Sequence, residues 1–276
     1  MGEPIARHLH QAGLLRAVHN RTAAKADALA AELGVEAIHD ATALAQACDV
    51  IVTSVTADAD VIGLAEAFAR ASRIGLLMID TSTIASANAR RAAEILRSAG
   101  GDFIDAPVSG GVEGARNGRL SVMAGGEPAA LERALPVLQC FAARVTHMGP
   151  VGAGQDTKAV NQVLVAGLAQ AVCEGLALGE ALGLDSEKLI AVLGAGAAAN
   201  WFLDKRGATM LRSEFKPGFK LGLLHKDLLI VRQLAEAAGV DRTVIEASIA
   251  DYAELMSRGL ADEDTSALIR LKRPVR

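Results

Sequence analysis

A chain of 276 residues, 51% hydrophobic and 22% charged, has the material for a large buried core in one or two domains, which excludes a disordered chain. Its 28 basic residues against 32 acidic ones give a formal net charge of -4, without the basic excess that nucleic-acid binding requires. Cys48, Cys140 and Cys173 stand apart among apolar neighbours, neither even in number nor at CxxC spacing, which argues against disulfides and a structural zinc and for a cytoplasmic setting.

The chain opens MGEPIARHLHQAG, in which Ile5, Ala6, Leu9 and Ala12 recur at helical spacing and Gly13 is a stop. Residues 3 to 12 are therefore predicted to form a helix, and the apolar run Leu14 to Val18 a strand. A glycine-opened helix followed by a strand is the second part of a dinucleotide-binding unit, so the unit's first strand is expected upstream of Met1. From Leu14 to about residue 148, the β-rich runs LLRAV, AIH, DVIVTSV, GLLMID, DFIDAPV, LSVMAGG and RVTHMG alternate with alanine-rich segments such as TAAKADALAAEL and TIASANARRAAEILRSAG. That rhythm predicts an α/β domain with helices crossing over a parallel sheet. After GPVGAG, residues 149 to 154, the pattern turns helical, over 155 to 183, 186 to 194, 200 to 212, 222 to 238 and 242 to 258. The expected organisation is a dinucleotide-binding domain over 1–150 and an all-α domain over 151–276. The most apolar stretch, VLVAGLAQAVCEGLALGEALGL, is interrupted by Gln170, Glu174 and Glu180, and reads as a buried helix and not a membrane span. No basic n-region or cleavage signal stands at the start.

Four stretches carry chemistry. The first predicted strand runs into His19-Asn20-Arg21-Thr22, where a doubly wound sheet meets the adenosine ribose. An acidic residue there would accept from both ribose hydroxyls and repel a 2′-phosphate; Arg21 instead offers a planar cation, with Asn20 and Thr22 as further donors, which favours NADP over NAD. The plain alternative is a solvated arginine before a helix capped by Thr22. In DAPVSGGVEGARNGRLSVMAGG, Ser109-Gly110-Gly111 follow a strand and a proline, so their backbone N–H groups are open to a carboxylate. A glycine turn of no functional consequence is the alternative. In GPVGAGQDTKAVNQ, Lys158 and Asn161 lie three apart on one side of an otherwise apolar helix; a snorkelling lysine beside a surface asparagine is the competing account. In HKDLLIVRQLAEAAG, Lys226 and Asp227 taken alone make an ordinary charged first turn.

Together these stretches resemble the β-hydroxyacid dehydrogenase family, which includes 3-hydroxyisobutyrate dehydrogenase, tartronate semialdehyde reductase and the glyoxylate and succinic semialdehyde reductases. The matching pieces are Met1-Gly2, Asp105 to Gly111, Gly152 to Asn161 and Lys226-Asp227-Leu228, co-linear and covering nearly the whole chain. The resemblance implies a Rossmann-type domain followed by an all-α domain that serves substrate binding and dimerisation. It also implies an NAD(P)-dependent oxidoreductase that interconverts a small hydroxy acid and its semialdehyde, with no metal, in a homodimer or homotetramer with neither nucleic acid nor membrane as partner. By analogy Lys158 is the catalytic lysine and Asn161 its neighbour at the substrate, while Ser109, Gly110 and Gly111 cradle the carboxylate. Met1 and Gly2 end a phosphate-binding GxGxxG loop, and Lys226 contacts cofactor or substrate. Val55, Thr56 and Thr83 fall on the nicotinamide side, although the family more often carries Leu-Pro or a similar pair at 55 and 56. Hydride from NADPH would reach the carbonyl carbon while the Lys158 ammonium stabilises the developing alkoxide and protonates it, desolvation or a second cation such as Lys226 bringing the lysine toward its working range. Lysine at 158 is unlike the Asp or Tyr of imine-reductase relatives. Roughly ten to fifteen residues of strand and loop are expected upstream of Met1, which leaves a cofactor-impaired, non-catalytic member as the alternative reading. The stretch Val112 to Gly118 and the face near Asn200 and Trp201 are where the acids would be told apart.

Overall fold

The computed structural model describes residues 1–274. Helix α1, Gly2–Gln11, buries Ile5 and Leu9 four residues apart, whereas Ala12, assigned to the same face, is the exposed C-cap. There follow β1 (Ala17–Val18), α2 (Ala23–Leu33), β2 (Glu36–Ala37), α3 (Ala41–Ala47), β3 (Val50–Thr53), α4 (Asp58–Arg70), β4 (Leu77–Asp80) and α5 (Ser86–Ser98). Next come β5 (Asp102–Asp105), β6 (Val108–Ser109), α6 (Gly111–Arg116), β7 (Leu120–Gly125), α7 (Pro128–Leu138) and β8 (Ala142–Gly149). The turn chemistry is local: Asp40 accepts the Ala43 N–H to start α3, and Gly34 ends α2 at φ +67°, a conformation that a Cβ disfavours.

Strands β3, β4 and β5 pair in parallel, and β1 pairs with β2 in parallel in a separate two-stranded sheet. Past β5 the expected all-parallel arrangement fails. DFIDAPV is two strands, broken at Ala106-Pro107, and both β5 and β6 pair antiparallel with β7, which pairs in parallel with β8. Two physical reasons account for the difference. Pro107 has no N–H for a ladder, and the connection from β6 to β7 holds only the six-residue α6, too little for a crossover helix. Every residue of β4 is buried. Leu77 and Ile79 pack with Ile104, Val122 and Leu138, and Met78 packs on the opposite side with Phe68, Leu96 and Phe103, so helices cover both faces of the sheet.

By contacts the chain divides into two compact units, Met1–Lys158 and Ala159–Arg276. The change of pattern at residues 149 to 154 marks the start of helix α8 (Ala153–Ala181), and the units divide inside that helix, just after Lys158. The second unit adds α9 (Ser186–Gly194), α10 (Trp201–Leu211), α11 (Leu221–Ala237), α12 (Thr243–Ser257), a 3₁₀ turn (Thr265–Leu268) and α13 (Ile269–Lys272). Its core joins Ala166, Ala169, Cys173 and Leu176 of α8 to Leu203, Met210, Leu224, Leu228 and Tyr252. Among the described residues α8 is the one helix long and apolar enough to cross a membrane, and these four side chains of it lie in the second unit's core.

Two glycines of the first unit should respond oppositely to alanine. At Gly154 a Cβ would run into the carbonyl oxygens of Met123 and Asp105, backbone that cannot step aside, whereas at exposed Gly63, within α4, it would meet nothing within 4 Å. Gly154→Ala is expected to lose about 2 kcal/mol or more, and Gly63→Ala to gain about 0.5–1 kcal/mol from helix propensity. Urea unfolding of both variants checks the pair, and equal effects would contradict it.

Candidate functional site

The last residues of the three parallel strands, Thr53, Asp80 and Asp105, stand side by side in register, all buried. Polar residues at the carboxyl ends of parallel strands are where an open α/β sheet places its chemistry. The Thr53 hydroxyl donates to Asp80 Oδ1 at 2.7 Å, and the Ser82 hydroxyl donates to the same oxygen at 2.6 Å. The Val55 N–H in turn donates to Ser82 Oγ at 2.9 Å. The segments holding Val55-Thr56 and Thr83, read separately as nicotinamide-side candidates, are thus tied together by one serine.

Asp105 turns toward the start of α8. Its Oδ1 accepts the Gly152 N–H at 2.8 Å and its Oδ2 the Gln155 N–H at 2.9 Å, so it supplies from β5 the cap that the helix's own glycine-rich entry lacks. Burial raises its pKa to about 7, against the two N–H donors that favour the charge, and the neighbouring Asp80 carboxylate adds to the rise. The Gln155 side chain donates through Nε2 to Ser82 O at 2.8 Å and accepts the Ile84 N–H at 3.1 Å. Three residues on, the buried Lys158 donates from Nζ to Val108 O at 2.9 Å. Val108 adjoins Ser109, and the next two residues turn at φ +127° (Gly110) and +64° (Gly111), so the candidate lysine and the candidate carboxylate cradle are neighbours. Neither Asp105, beyond its place in DAPVSGG, nor Gln155 was singled out from the sequence. The available signals were an acidic residue ending a buried strand and an amide between a Gly-x-Gly and the lysine.

In the second unit, Asn161 Nδ2 donates to Gln162 Oε1 at 2.8 Å, and Gln162 Nε2 donates to Asp227 Oδ2 at 2.8 Å. Lys226 Nζ lies 3.0 Å from Asp227 Oδ1. Asn161 and Lys226 therefore converge on one buried amide–carboxylate pair, and Asp227, 3% exposed, is no ordinary first-turn charge. Asn200 spends its side-chain oxygen on the Leu203 N–H as the cap of α10, and Trp201 is half exposed with the Arg206 guanidinium 5.4 Å from its ring centroid.

Helix α1 starts from Met1 at Gly2 with no side-chain cap, and a Cβ on Gly2 would stand 3.5 Å from the Ser54 side chain, just past the end of β3. Beyond β1 the Asn20 oxygen accepts the Thr22 N–H at 2.8 Å. Thr22 is the N-cap of α2 without bonding through its hydroxyl, which corrects the capping role given to it as the plain alternative. Arg21 is 88% exposed, its guanidinium 3.2 Å from Asp60 of α4, a carboxylate the local sequence did not foreshadow. The exposed planar cation and unspent hydroxyl suit the phosphate end of a dinucleotide. Among the described residues no cluster of three His, Cys, Asp or Glu could hold a metal ion.

Residues 1–149 match the family described as the NAD binding domain of 6-phosphogluconate dehydrogenase, and residues 152–272 that described as NAD-binding of NADP-dependent 3-hydroxyisobutyrate dehydrogenase. The chain is 32% identical to the NAD-dependent L-serine dehydrogenase of Pseudomonas aeruginosa, over 99% of this chain and 95% of that one. It is 34% identical to the 2-hydroxy-3-oxopropionate reductase of Escherichia coli, over 87% and 83% of the two chains. A solved Mycobacterium tuberculosis 3-hydroxyisobutyrate dehydrogenase with L-serine superposes with a TM-score of 0.88 at 31% identity, covering 99% of this chain and 96% of that one. The architecture is that of a Rossmann-type domain followed by an all-α domain.

Asp105 sets an expected pH dependence of stability. Its folded value of about 7 lies above the ordinary 3.8. Between those values the folded chain keeps a proton that the unfolded chain releases, so this group's stabilisation is full below the lower value and is lost as pH rises through the higher one. The wild type's unfolding free energy relative to Asp105→Asn should accordingly fall by on the order of a few kcal/mol between about pH 4 and about pH 8. A difference constant across urea titrations in that range would mean the carboxyl is already ionised throughout.

Proposed function

The chain belongs to the β-hydroxyacid dehydrogenase family of NAD(P)-dependent oxidoreductases, and from that membership we propose that it interconverts a small 3-hydroxy or related hydroxy acid and its semialdehyde, with Lys158 as acid and base. The observation that carries this reading is the Lys158 ammonium, buried and bonded to the carbonyl of Val108, the residue that leads into Ser109-Gly110-Gly111. A substrate carboxylate held by the backbone N–H groups of that turn brings its carbonyl end within the lysine's range, which converts an encounter into an oriented complex. Bound NAD(P)H supplies the hydride. Lys158 then gives its proton to the oxygen that becomes the alkoxide, and in the oxidative direction neutral Lys158 takes the hydroxyl proton. Asn161 is assigned to the substrate and Lys226 to cofactor or substrate. A carboxylate-bearing substrate accords with the relatives named for L-serine and 2-hydroxy-3-oxopropionate.

Gly2 at the start of α1, with Met1 before it, is assigned to the pyrophosphate, Asn20, Arg21 and Thr22 to the adenosine end, and Val55, Thr56 and Thr83 to the nicotinamide end. The Arg21 guanidinium supports NADP over NAD, because a 2′-phosphate is a stronger partner for it than the single Asp60 carboxylate. We further assign the chain to the cytoplasm as a homodimer or homotetramer. The exposed apolar row Val160, Leu164 and Leu168 along α8 supports self-association, and a monomer in analytical ultracentrifugation at micromolar concentration would reject it.

A steady-state panel of short aldehyde acids and hydroxy acids with NADPH and NADH tests the reading. Lys158→Ala is expected to lower kcat by roughly 10²- to 10⁴-fold with the far-UV spectrum unchanged; near-normal turnover in that variant would remove Lys158 from the chemistry. Arg21→Ala should raise the KM for NADPH by about tenfold or more and leave that for NADH alone, the cost of one charge-assisted contact. A parallel rise for both would reject the NADP preference.

A further inference from the structure

We propose that Gln155 is a positioning residue for Lys158: its side-chain amide fixes the rotation of the α8 start against the loop Ser82 to Ile84, and so sets where the lysine ammonium stands relative to the Val55 and Thr83 side of the site. The inference rests on Lys158 acting as acid and base. Gln155 is 2% exposed and uses both ends of its amide on backbone, donating to Ser82 O and accepting from the Ile84 N–H. A neutral amide does both from one planar group at any working pH. A carboxylate would face the Ser82 carbonyl with like partial charge, and an apolar side chain would leave two backbone groups unsatisfied.

The arrangement is a two-point mount. Asp105 takes the N–H groups of Gly152 and Gln155 and holds the helix end to β5, but bonds gathered at one end leave the helix free to swing about it. The Gln155 side chain adds a second fixed point on a different element, the loop after β4. That loop is itself fastened, because Ser82 also donates to Asp80 and accepts from Val55. Lys158 lies three residues on, about 4.5 Å along the axis, so a small rotation at Gln155 is carried directly to its Nζ. A displacement near 1 Å at a reacting group costs on the order of 100-fold.

The full chain, wild type and variants, is labelled with [¹³Cε]lysine, and the Lys158 resonance is assigned by its loss in Lys158→Met. In Gln155→Ala the Lys158 resonance and its titration curve are expected to move. The variant's kcat should fall roughly 10- to 100-fold while the KM values for NADPH and the aldehyde acid stay within about threefold. In Gln155→Glu the loss should be as large at high pH and should recede as pH falls, because a protonated carboxyl can donate to Ser82 O as the amide does. This variant carries the comparison if Gln155→Ala does not fold. An unmoved Lys158 resonance in Gln155→Ala, or in Gln155→Glu at high pH, overturns the proposal, as does a raised KM for NADPH at unchanged kcat, which would reduce Gln155 to a support of the cofactor loop. A wild type that turns over no acid of the panel would defeat the assigned reaction, and the resonance would still decide the positioning separately.

Discussion

The carboxylate of Asp105 takes two N–H groups from the entry of α8, one on each oxygen. A helix that begins Gly152-Ala153-Gly154 has no side-chain oxygen of its own for those donors, and a buried helix end without acceptors is costly. The strand β5 therefore provides the cap, and much of the first unit follows from bringing helix and strand that close. Gly125 and Gly154 are demanded by the approach: a Cβ on Gly125 would stand 2.5 Å from Asp105 Oδ1, and one on Gly154 would strike the carbonyls of β5 and β7. Of the two glycines of GxG, Gly154 serves the contact between helix and sheet, while Gly152 turns at φ +97° against Ser86 and Arg90 of α5.

From that junction the site is assembled on elements that cannot drift independently. Thr53 and Ser82 converge on one oxygen of Asp80, Gln155 bridges Ser82 to α8, and Lys158 reaches across to β6. Each group is held by backbone or by another buried polar group, the condition under which a polar network in a low-dielectric interior stiffens a structure. The antiparallel departure at β6 and β7 belongs to the same logic. After the break at Pro107 the short strand β6 pairs with β7, and the chain then turns through Gly110 and Gly111, just past the Val108 carbonyl that Lys158 reaches.

The second unit repeats the device with other residues. The Gln162 amide links Asn161 to Asp227, and Asp227 is flanked by Lys226. A carboxylate 3% exposed is tolerable only with such partners. Arg21 stands at the opposite extreme, 88% exposed and beside the single carboxylate of Asp60.

Periodicity by itself determined the alternation of strands and helices up to about residue 148, though not the split of DFIDAPV or the short α6, and the placement of α8 to α12 within a residue or two, because amphipathic spacing and backbone sterics are local properties. It determined too that Lys158 and Asn161 lie on one helix after a Gly-x-Gly, and that no acidic residue follows β1. Only the tertiary structure decided that β7 runs antiparallel to β5 and β6, since strand direction depends on a partner that local pattern does not name. Only it decided what the polar residues bond to. Asp105 read as one letter of a motif and Gln155 as one amide in a helix. Asp60 lies 39 residues from Arg21, and Asp227 read as a surface charge although it is bound to an amide 65 residues away. These contacts are distant in sequence and short in space, so what they do is fixed by the meeting of elements and not by the composition of any one of them.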